Sequence, residues 1–205
     1  MLQIINTGVA NIRSLQATFD RLDQPWNLTE DADQIAEAKW VVLPGVGAFA
    51  AAMDQLNRLG LVQAVVDRIQ NDRATLAICL GFQLLCESSE ESPGVEGLGV
   101  LPLKIQRFHG DAFVDHRLKI PQLGWNKVTP KSADSLVTPG VAYFANSFRL
   151  AESPPDDWSY AETDYGGPFV SSFWRGRVLG CQFHPELSGP WGQSVLQNWI
   201  AEGGA

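Results

Sequence analysis

The residue best suited to chemistry is a cysteine at the end of an apolar run. Cys79 follows Thr75-Leu76-Ala77-Ile78 and precedes Leu80-Gly81-Phe82-Gln83. An apolar strand that runs through small-x-Cys-x-Gly into a helix is the thiol counterpart of the strained elbow that exposes a nucleophilic serine. The beginning of that helix would stabilise the thiolate form of the sulfur. A buried structural cysteine fits the same pattern, so the motif alone leaves both interpretations open.

A histidine near the end of the chain is followed two residues later by an acid. In the segment Phe183-His184-Pro185-Glu186, an extended backbone would place the side chains of His184 and Glu186 on one side. An imidazole base and a carboxylate that orients it would complete a Cys-His-acid triad with Cys79. Taken alone, the segment fits a surface His-Glu pair at the end of a strand better than a catalytic pair.

A glycine-rich turn, Pro44-Gly45-Val46-Gly47, follows the apolar run Trp40–Leu43. Backbone N–H groups in such a turn can bind an oxyanion, although an ordinary strand-to-helix turn has the same composition. Each of the three features follows a predicted strand. Because ligands of doubly wound sheets bind at the carboxyl ends of the strands, we expect the three features to form one site.

The elements that would position these residues alternate in the first half of the chain. Strand-like runs cover 2–5, 40–43 and 75–79, and segments with a helical period cover 11–22, 49–59, 62–69 and 82–88. The second half has six short strand-like runs, punctuated by Gly, Pro and Asp, and a closing helix over 189–201. This order predicts an α/β fold with a doubly wound, mostly parallel central sheet, helices on both faces and an antiparallel strand extension. We expect residues 1–205 to form a single domain.

The composition limits the classes of function. The chain has 205 residues, of which 45% are hydrophobic, and a formal net charge of −8, which argues against broad binding to nucleic acid or to an anionic membrane. Three cysteines, no basic-then-apolar leader and no apolar run of about 18 residues predict a cytoplasmic protein with free thiols and no membrane span.

Other polar and thiol side chains have simpler interpretations. His109 and His116 flank two aspartates without ligand-rich spacing, so no metal site is expected there. Cys86 and Cys181 are expected to pack in the core, and the acidic run 87–92 is expected to be a solvated helix end and loop.

Taken together, the turn at 44–47, the elbow at 79–83 and His184-Pro185-Glu186 resemble the class I (triad) glutamine amidotransferases. Further segments are similar to the glutaminase subunit of imidazole glycerol phosphate synthase, and the similarity runs nearly end to end. These segments are Asn6-Thr7-Gly8-Val9-Ala10-Asn11 with Arg13-Ser14, Ile120-Pro121-Gln122-Leu123-Gly124-Trp125-Asn126 and Tyr143-Phe144-Ala145-Asn146-Ser147-Phe148.

The resemblance implies that the Cys79 thiolate attacks the side-chain amide of L-glutamine, that His184 moves the proton and that Glu186 orients His184. It implies an oxyanion site formed by backbone N–H groups of Val46, Gly47 and Leu80. It also implies a glutamine pocket that includes Gly45, Gly47, Gln83, Ser147 and Phe148. No metal and no organic cofactor is implied.

The resemblance also implies a partner. In that family the ammonia passes to a (β/α)₈-barrel cyclase subunit, in a heterodimer that makes imidazole glycerol phosphate for histidine biosynthesis. The chain departs from the family pattern at four positions, Asn6, Ala77, Asn146 and Leu187, where the family usually has Asp, Gly, His and Lys or Arg. The last two lie in motifs that face the partner in the family, so they bear on the interface.

Three alternatives stay open at this point. A paralogous glutaminase could feed ammonia to a different synthase, which the departures at Asn146 and Leu187 would fit. A regulatory subunit could keep the fold without turnover, although Cys79, His184 and Glu186 are all present. A cysteine peptidase could use the same elbow, but it would leave the Gly124-Trp125-Asn126 segment without a role.

Overall fold

The computed structural model describes residues 1–8, 12–115, 117–132 and 136–204. In chain order, the strands are β1 (Leu2–Ile5), β2 (Trp26–Thr29), β3 (Trp40–Leu43), β4 (Thr75–Ile78), β5 (Cys86–Ser89), β6 (Leu101–Arg107), β7 (Gln122–Pro130), β8 (Gly140–Asn146), β9 (Phe148–Leu150), β10 (Ser159–Asp164), β11 (Pro168–Arg175) and β12 (Val178–Cys181). The helices are α1 (Ile12–Arg21), α2 (Ala32–Glu37), α3 (Phe49–Arg58), α4 (Val62–Gln70), α5 (Leu80–Leu84), α6 (Asp111–Val114) and α7 (Gly189–Glu202), with a 3-10 turn at Pro185–Leu187.

One sheet runs through the molecule in the order β2-β1-β3-β4-β12-β11-β10-β7-β8. The first five strands in this order pair in parallel, and the pairs from β12 to β8 are antiparallel. The strands β5, β6 and β9 form a branch that joins the sheet through β9 and β11. The predicted parallel sheet with an antiparallel extension is therefore confirmed.

Helices cover both faces of the parallel strands because successive side chains of a strand point to opposite sides. Leu76 and Ile78 of β4 pack in the core that α1 and α7 cover, whereas Ala77 packs in the core that α2, α3 and α4 cover. Phe19 and Trp199 are fully buried on the first face. The nearly continuous apolar runs at β1, β3 and β4 are therefore strands that are buried on both sides.

The predicted helix over 82–88 is wrong in its second half. The helix after the elbow ends at Leu84, and the chain continues as β5, which pairs in parallel with β6. The carbonyl oxygens of Leu84 and Leu85 accept hydrogen bonds from the N–H groups of Leu98 and Leu101. These contacts with a later segment replace the helical bonds, so the acidic run 87–92 is a strand and a turn rather than a helix end.

Further features of the described residues were not predicted. The strand β2 and the helix α2 lie between α1 and β3, in a segment with no assigned element. The predicted run 141–150 divides into β8 and β9, separated by Ser147. The predicted helix over 11–22 is present as α1, although residue 11 lies outside the described residues. No helix in the described part of the chain is long and apolar enough to cross a membrane.

Candidate active site

Cys79 lies at the tight turn between β4 and α5. Its backbone has φ 54° and ψ −105°. Residues other than glycine rarely adopt a positive φ, and this conformation costs about 1–3 kcal/mol. The N–H of Cys79 donates to the carbonyl oxygen of Cys181 at 2.7 Å and so ties the turn to β12. A Cβ at Gly81 would collide with the carbonyl oxygen of Leu43. Glycine at this position therefore lets the turn lie directly against β3, and the predicted elbow is present.

His184 lies just beyond β12, and β8 holds its backbone. The His184 N–H donates to the carbonyl oxygen of Tyr143 at 3.0 Å, while the His184 carbonyl accepts from Oγ of Ser188 at 2.6 Å. The same Oγ accepts the N–H of Tyr143 at 3.0 Å. The imidazole is therefore attached to a strand of the antiparallel extension as well as to the parallel sheet.

The imidazole of His184 is paired with the carboxylate of Glu186. Nδ1 of His184 lies 2.8 Å from Oε1 of Glu186, and the two side chains are 8% and 4% exposed. Burial lowers the pKa of His184, but hydrogen bonds and charge interactions with Cys79 and Glu186 raise it to about 10. The imidazole therefore lies between the sulfur and the carboxylate, in the order of the predicted Cys-His-acid arrangement.

The sulfur and the imidazole lie on the wall of a cavity of about 320 Å³. Its walls are formed by Val46, Gly47, Cys79, Leu80, Gln83, Glu91, Ala145, Asn146, Ser147, Phe148 and His184. The volume is within the range of small-molecule sites. A larger depression of about 700 Å³ surrounds Trp174 and Arg175, but it has no cysteine or histidine among its lining residues.

The predicted binding residues meet at this cavity with one exception. Gly45 lines a smaller cavity, together with His184 and Glu186. A Cβ at Gly45 would come within 2.8 Å of Cβ of Leu80, so the turn lies against the elbow. The carbonyl oxygen of Gly45 accepts the N–H of Leu80 at 3.3 Å. In this arrangement one of the predicted oxyanion donors already has a partner.

Glu91 is a wall residue that the sequence interpretation missed. Its Oε2 accepts the N–H of Phe49 at 2.7 Å, and Oγ of Ser92 accepts the N–H of Ala50 at 3.2 Å. These bonds cap the start of α3, and they also bring a carboxylate to the cavity. No local signal separates Glu91 from its acidic neighbours, because its acceptor role depends on a helix 42 residues earlier in the chain.

The structure accounts for two of the four departures from the family pattern. Nδ2 of Asn6 donates to Oε1 of Glu30 at 2.6 Å, which a carboxylate at position 6 could not do. Asn146 is 4% exposed and its Nδ2 donates to the carbonyl of Phe148 at 2.9 Å, so its side chain supports the cavity wall. Leu187 is 39% exposed, and Ala77 is buried in the core.

Among the described residues, no group of three or more His, Cys, Asp and Glu side chains is arranged to hold a metal ion. His116, one of the two histidines at which no metal site is expected, lies outside the described residues. Cys86 and Cys181 are buried, and burial raises the pKa of both thiols. Glu186 adds to the effect at Cys181. The expected core positions of these two cysteines are confirmed.

Comparison with known sequences gives consistent relatives. The family model described as glutamine amidotransferase class-I matches residues 3–202. The imidazole glycerol phosphate synthase subunit HisH of Syntrophotalea carbinolica is 37% identical over 97% of this chain and 98% of its own length. The subunit HisH of Bacillus subtilis is 35% identical over 96% and 93%. The chloroplastic imidazole glycerol phosphate synthase hisHF of Arabidopsis thaliana is 39% identical over 98% of this chain, which spans only 34% of that protein.

Comparison with solved structures supports the fold. A crystal structure described as glutamine amidotransferase superposes with a TM-score of 0.77 at 16% identity, covering 100% of this chain and 99% of the other. The structure of PurLQS from Thermotoga maritima gives a TM-score of 0.66 at 14% identity, over 98% and 97%.

Proposed function

The chain belongs to the class-I glutamine amidotransferase family and, within it, to the family of the imidazole glycerol phosphate synthase subunit HisH, and from this we propose how its site works. We propose that the site hydrolyses L-glutamine to glutamate and ammonia through Cys79, His184 and Glu186. The observation that carries the proposal is the strained Cys79 beside an imidazole that is bound to a buried carboxylate, at the wall of a cavity. The reaction needs no metal and no organic cofactor.

The first half of the reaction is an acyl transfer to sulfur. The Cys79 thiolate attacks the side-chain amide carbon of glutamine, and the carbonyl π electrons move onto oxygen to form an oxyanion. The protonated His184 then gives its proton to the amide nitrogen. Collapse of the tetrahedral intermediate breaks the C–N bond, ammonia leaves and a γ-glutamyl thioester remains on Cys79.

The second half uses the same imidazole as a base. Once the sulfur is in a thioester, its negative charge no longer raises the pKa of His184, so only Glu186 still does. The neutral imidazole then takes a proton from water while the oxygen attacks the thioester. The C–S bond breaks, glutamate leaves and the thiolate and imidazolium are restored. Glu186 keeps the Nδ1 proton in place, so Nε2 serves as the reacting nitrogen.

Recognition of glutamine is assigned to the cavity wall. The carboxylate of Glu91 supplies a negative charge opposite the α-ammonium group of the substrate. The rest of the amino acid contacts Gly47, Gln83, Ser147 and Phe148. Gly45 has an indirect role, because its carbonyl oxygen accepts the N–H of Leu80 and so holds the turn against the elbow.

The oxyanion is assigned to the backbone N–H groups of Val46, Gly47 and Leu80. Because the N–H of Leu80 donates to Gly45 in this structure, the turn has to withdraw from the elbow before Leu80 can bind an oxyanion. Gly47, with φ 99°, supplies the conformational freedom for that movement. This requirement fits a glutaminase with low activity in the absence of its partner.

The partner is assigned as a (β/α)₈-barrel cyclase subunit, in a heterodimer that uses the ammonia to make imidazole glycerol phosphate. Support comes from the plant relative, in which the part that matches this chain is about a third of a longer protein. Residues 1–205 form one amidotransferase domain that works in the cytoplasm and binds neither nucleic acid nor membrane.

The test is a glutaminase assay on the full chain, with and without the cyclase subunit and its nucleotide ligand. We expect the cyclase subunit to increase glutamate production, and Cys79→Ala to abolish it. The matched control is Cys86→Ala, which changes a fully buried cysteine away from the cavity and leaves hydrolysis in place. Activity that survives Cys79→Ala would refute the nucleophile, and no activation at any ratio of subunits would point to a different synthase.

A further inference from the structure

A second side chain besides His184 reaches the sulfur of Cys79. Gln182 is fully buried, and its Nε2 lies 3.8 Å from Sγ of Cys79. Gln182 directly follows β12 and lies two residues before His184, whose imidazole also forms a hydrogen bond with Cys79. The sulfur therefore has an imidazole and an amide as neighbours.

The amide of Gln182 is held in one orientation by a chain of hydrogen bonds. The carbonyl oxygen of Phe148 accepts Nε2 of Gln83 at 3.5 Å, and the same Nε2 donates to Oε1 of Gln182 at 2.9 Å. A backbone carbonyl can only accept, so it fixes the NH₂ group of Gln83 on its own side. That NH₂ group in turn requires the oxygen of Gln182, and the NH₂ group of Gln182 must face the sulfur.

An N–H group aimed at sulfur favours the thiolate over the thiol, because a hydrogen bond to a charged acceptor is stronger than one to a neutral acceptor. We propose that Gln182 is a further catalytic residue, whose side-chain amide donates to the Cys79 thiolate and holds the sulfur in position for attack on glutamine. Besides its assigned contact with the substrate, Gln83 positions the amide of Gln182. The proposal rests on the proposed nucleophilic role of Cys79.

Other charged and titratable groups lie around the sulfur. His184 and Glu186 approach from the segment beyond β12, Glu91 lies on the cavity wall and the thiol of Cys181 is buried in the adjacent strand. None of these groups is changed by a substitution at Gln182, so their effects cancel when variants are compared at the same pH.

The test measures alkylation of Cys79 by iodoacetamide in the full chain between pH 5 and pH 10, followed by peptide mass spectrometry. The variants Gln182→Met and Gln182→Asn remove the donor or withdraw it by one methylene. On the rising part of the pH curve, where the thiolate is scarce, we expect alkylation about three- to tenfold slower than in the unmodified chain. At the plateau, where the thiolate is fully formed, the rates should converge.

A purely structural role would give a different result. If Gln182 only shaped access to the sulfur, its loss would scale the rate by the same factor at every pH. Curves that superimpose, or that differ by a constant factor, would overturn the proposal. Gln3→Met is the matched control, because Gln3 is a buried glutamine on β1, and its curve should follow that of the unmodified chain.

Two further arms complete the design. Gln83→Met frees the amide of Gln182 to rotate, so it should shift the curve in the same direction, and the double variant should shift it by less than the sum. Selective alkylation of Cys79 over Cys86 and Cys181 in the unmodified chain tests the nucleophile itself. Its absence would contradict the proposed function, whereas selective alkylation with an unchanged Gln182→Met curve would contradict this inference alone.

Discussion

Nδ1 of His184 lies 2.8 Å from Oε1 of Glu186 at a point where the two side chains are 8% and 4% exposed. The second carboxylate oxygen, Oε2, has no hydrogen-bond partner among the described residues, although it is buried. A buried carboxylate that makes one contact depends on that contact to offset its desolvation. Among the described residues, the carboxylate of Glu186 therefore forms its side-chain hydrogen bond with the imidazole of His184 alone.

Replacing Glu186 by Gln tests whether catalysis depends on this carboxylate. The amide keeps the shape but removes the charge, and it can present an NH₂ group to the imidazole and so select the wrong tautomer. We expect glutamine hydrolysis in the presence of the cyclase subunit to fall by about 10²-fold or more. Glutamate production measures the effect. Glu152→Gln, at an exposed position, should leave the rate unchanged. A Glu186→Gln chain with full activity would remove Glu186 from the mechanism.

The raised pKa of His184 determines the pH range in which its imidazole is charged. Because the folded-state pKa is about 10, above the ordinary value of 6.5, the imidazolium is present below pH 10 and is lost as the pH rises through it. The imidazole of His184 therefore stays cationic throughout the neutral range. We expect the ring ¹⁵N chemical shifts of His184 to keep the values of the cation between pH 7 and pH 9, and to change only as the pH approaches 10.

The comparison for this prediction is Glu186→Gln, which removes one of the two groups that raise the pKa of His184. In that variant, the imidazolium should lose its proton at a lower pH. The experiment is an NMR titration of the chain labelled with ¹⁵N in histidine, and His184→Asn identifies the signals of His184. A change in these signals between pH 7 and pH 9 in the unmodified chain would contradict the prediction.

Features that depend on neighbouring residues were predicted well from the sequence. The apolar strands at β3 and β4 and the turns that follow them are local patterns, and their order along the chain implies parallel pairing. The positions of Cys79 and His184 at strand ends followed from those patterns alone. The approach of the two side chains then follows because β4 and β12 are neighbours in the sheet.

Features that depend on distant residues could not be predicted in this way. Arg68 lies in a polar position of α4, yet it is 2% exposed, because its guanidinium donates to the carbonyl oxygens of Ile35, Ala38 and Ala74. Burial, with the charge of Arg73, lowers the pKa of Arg68 to about 10, so it stays charged at neutral pH. The role of Glu91 is likewise decided by the start of α3, and no single-segment pattern carries that information.

The close approach of the elbow to β3 predicts a large cost for a single methyl group. In Gly81→Ala, the new Cβ meets the backbone carbonyl of Leu43, which cannot rotate away as a side chain could. We expect a loss of about 3 kcal/mol in the free energy of unfolding, at the upper end of overpacking effects. Urea denaturation measures it.

The control for Gly81→Ala is Gly94→Ala. Gly94 has φ 82°, and no atom lies within 4 Å of the position that a Cβ would take, so only the backbone penalty of about 1–2 kcal/mol applies. Equal losses in the two variants would show that the elbow does not pack against β3 as described.

The exposed ring of Trp125 predicts how a partner reaches the active site. Trp125 is 56% exposed, and its ring lies 5.9 Å from that of Tyr143 in an edge-to-face contact. The backbone of Tyr143 in turn binds His184 and Ser188. A subunit that binds Trp125 would therefore contact the part of the sheet next to β8, the strand that binds the backbone of His184. We expect Trp125→Ala to raise the concentration of cyclase subunit needed for half-maximal glutaminase activity by about tenfold or more.

Trp125→Ala should leave the reactivity of Cys79 in the isolated chain unchanged. Trp125 does not line the cavity, so alkylation of Cys79 in the absence of the cyclase subunit should proceed at the unmodified rate. Val114→Ala changes another exposed apolar side chain, on α6, and should not alter the half-maximal concentration. If Trp125→Ala titrated like the unmodified chain, the partner would have to reach His184 by a route other than β8. If it instead slowed alkylation of the isolated chain, the ring would act on the fold of the site rather than on docking.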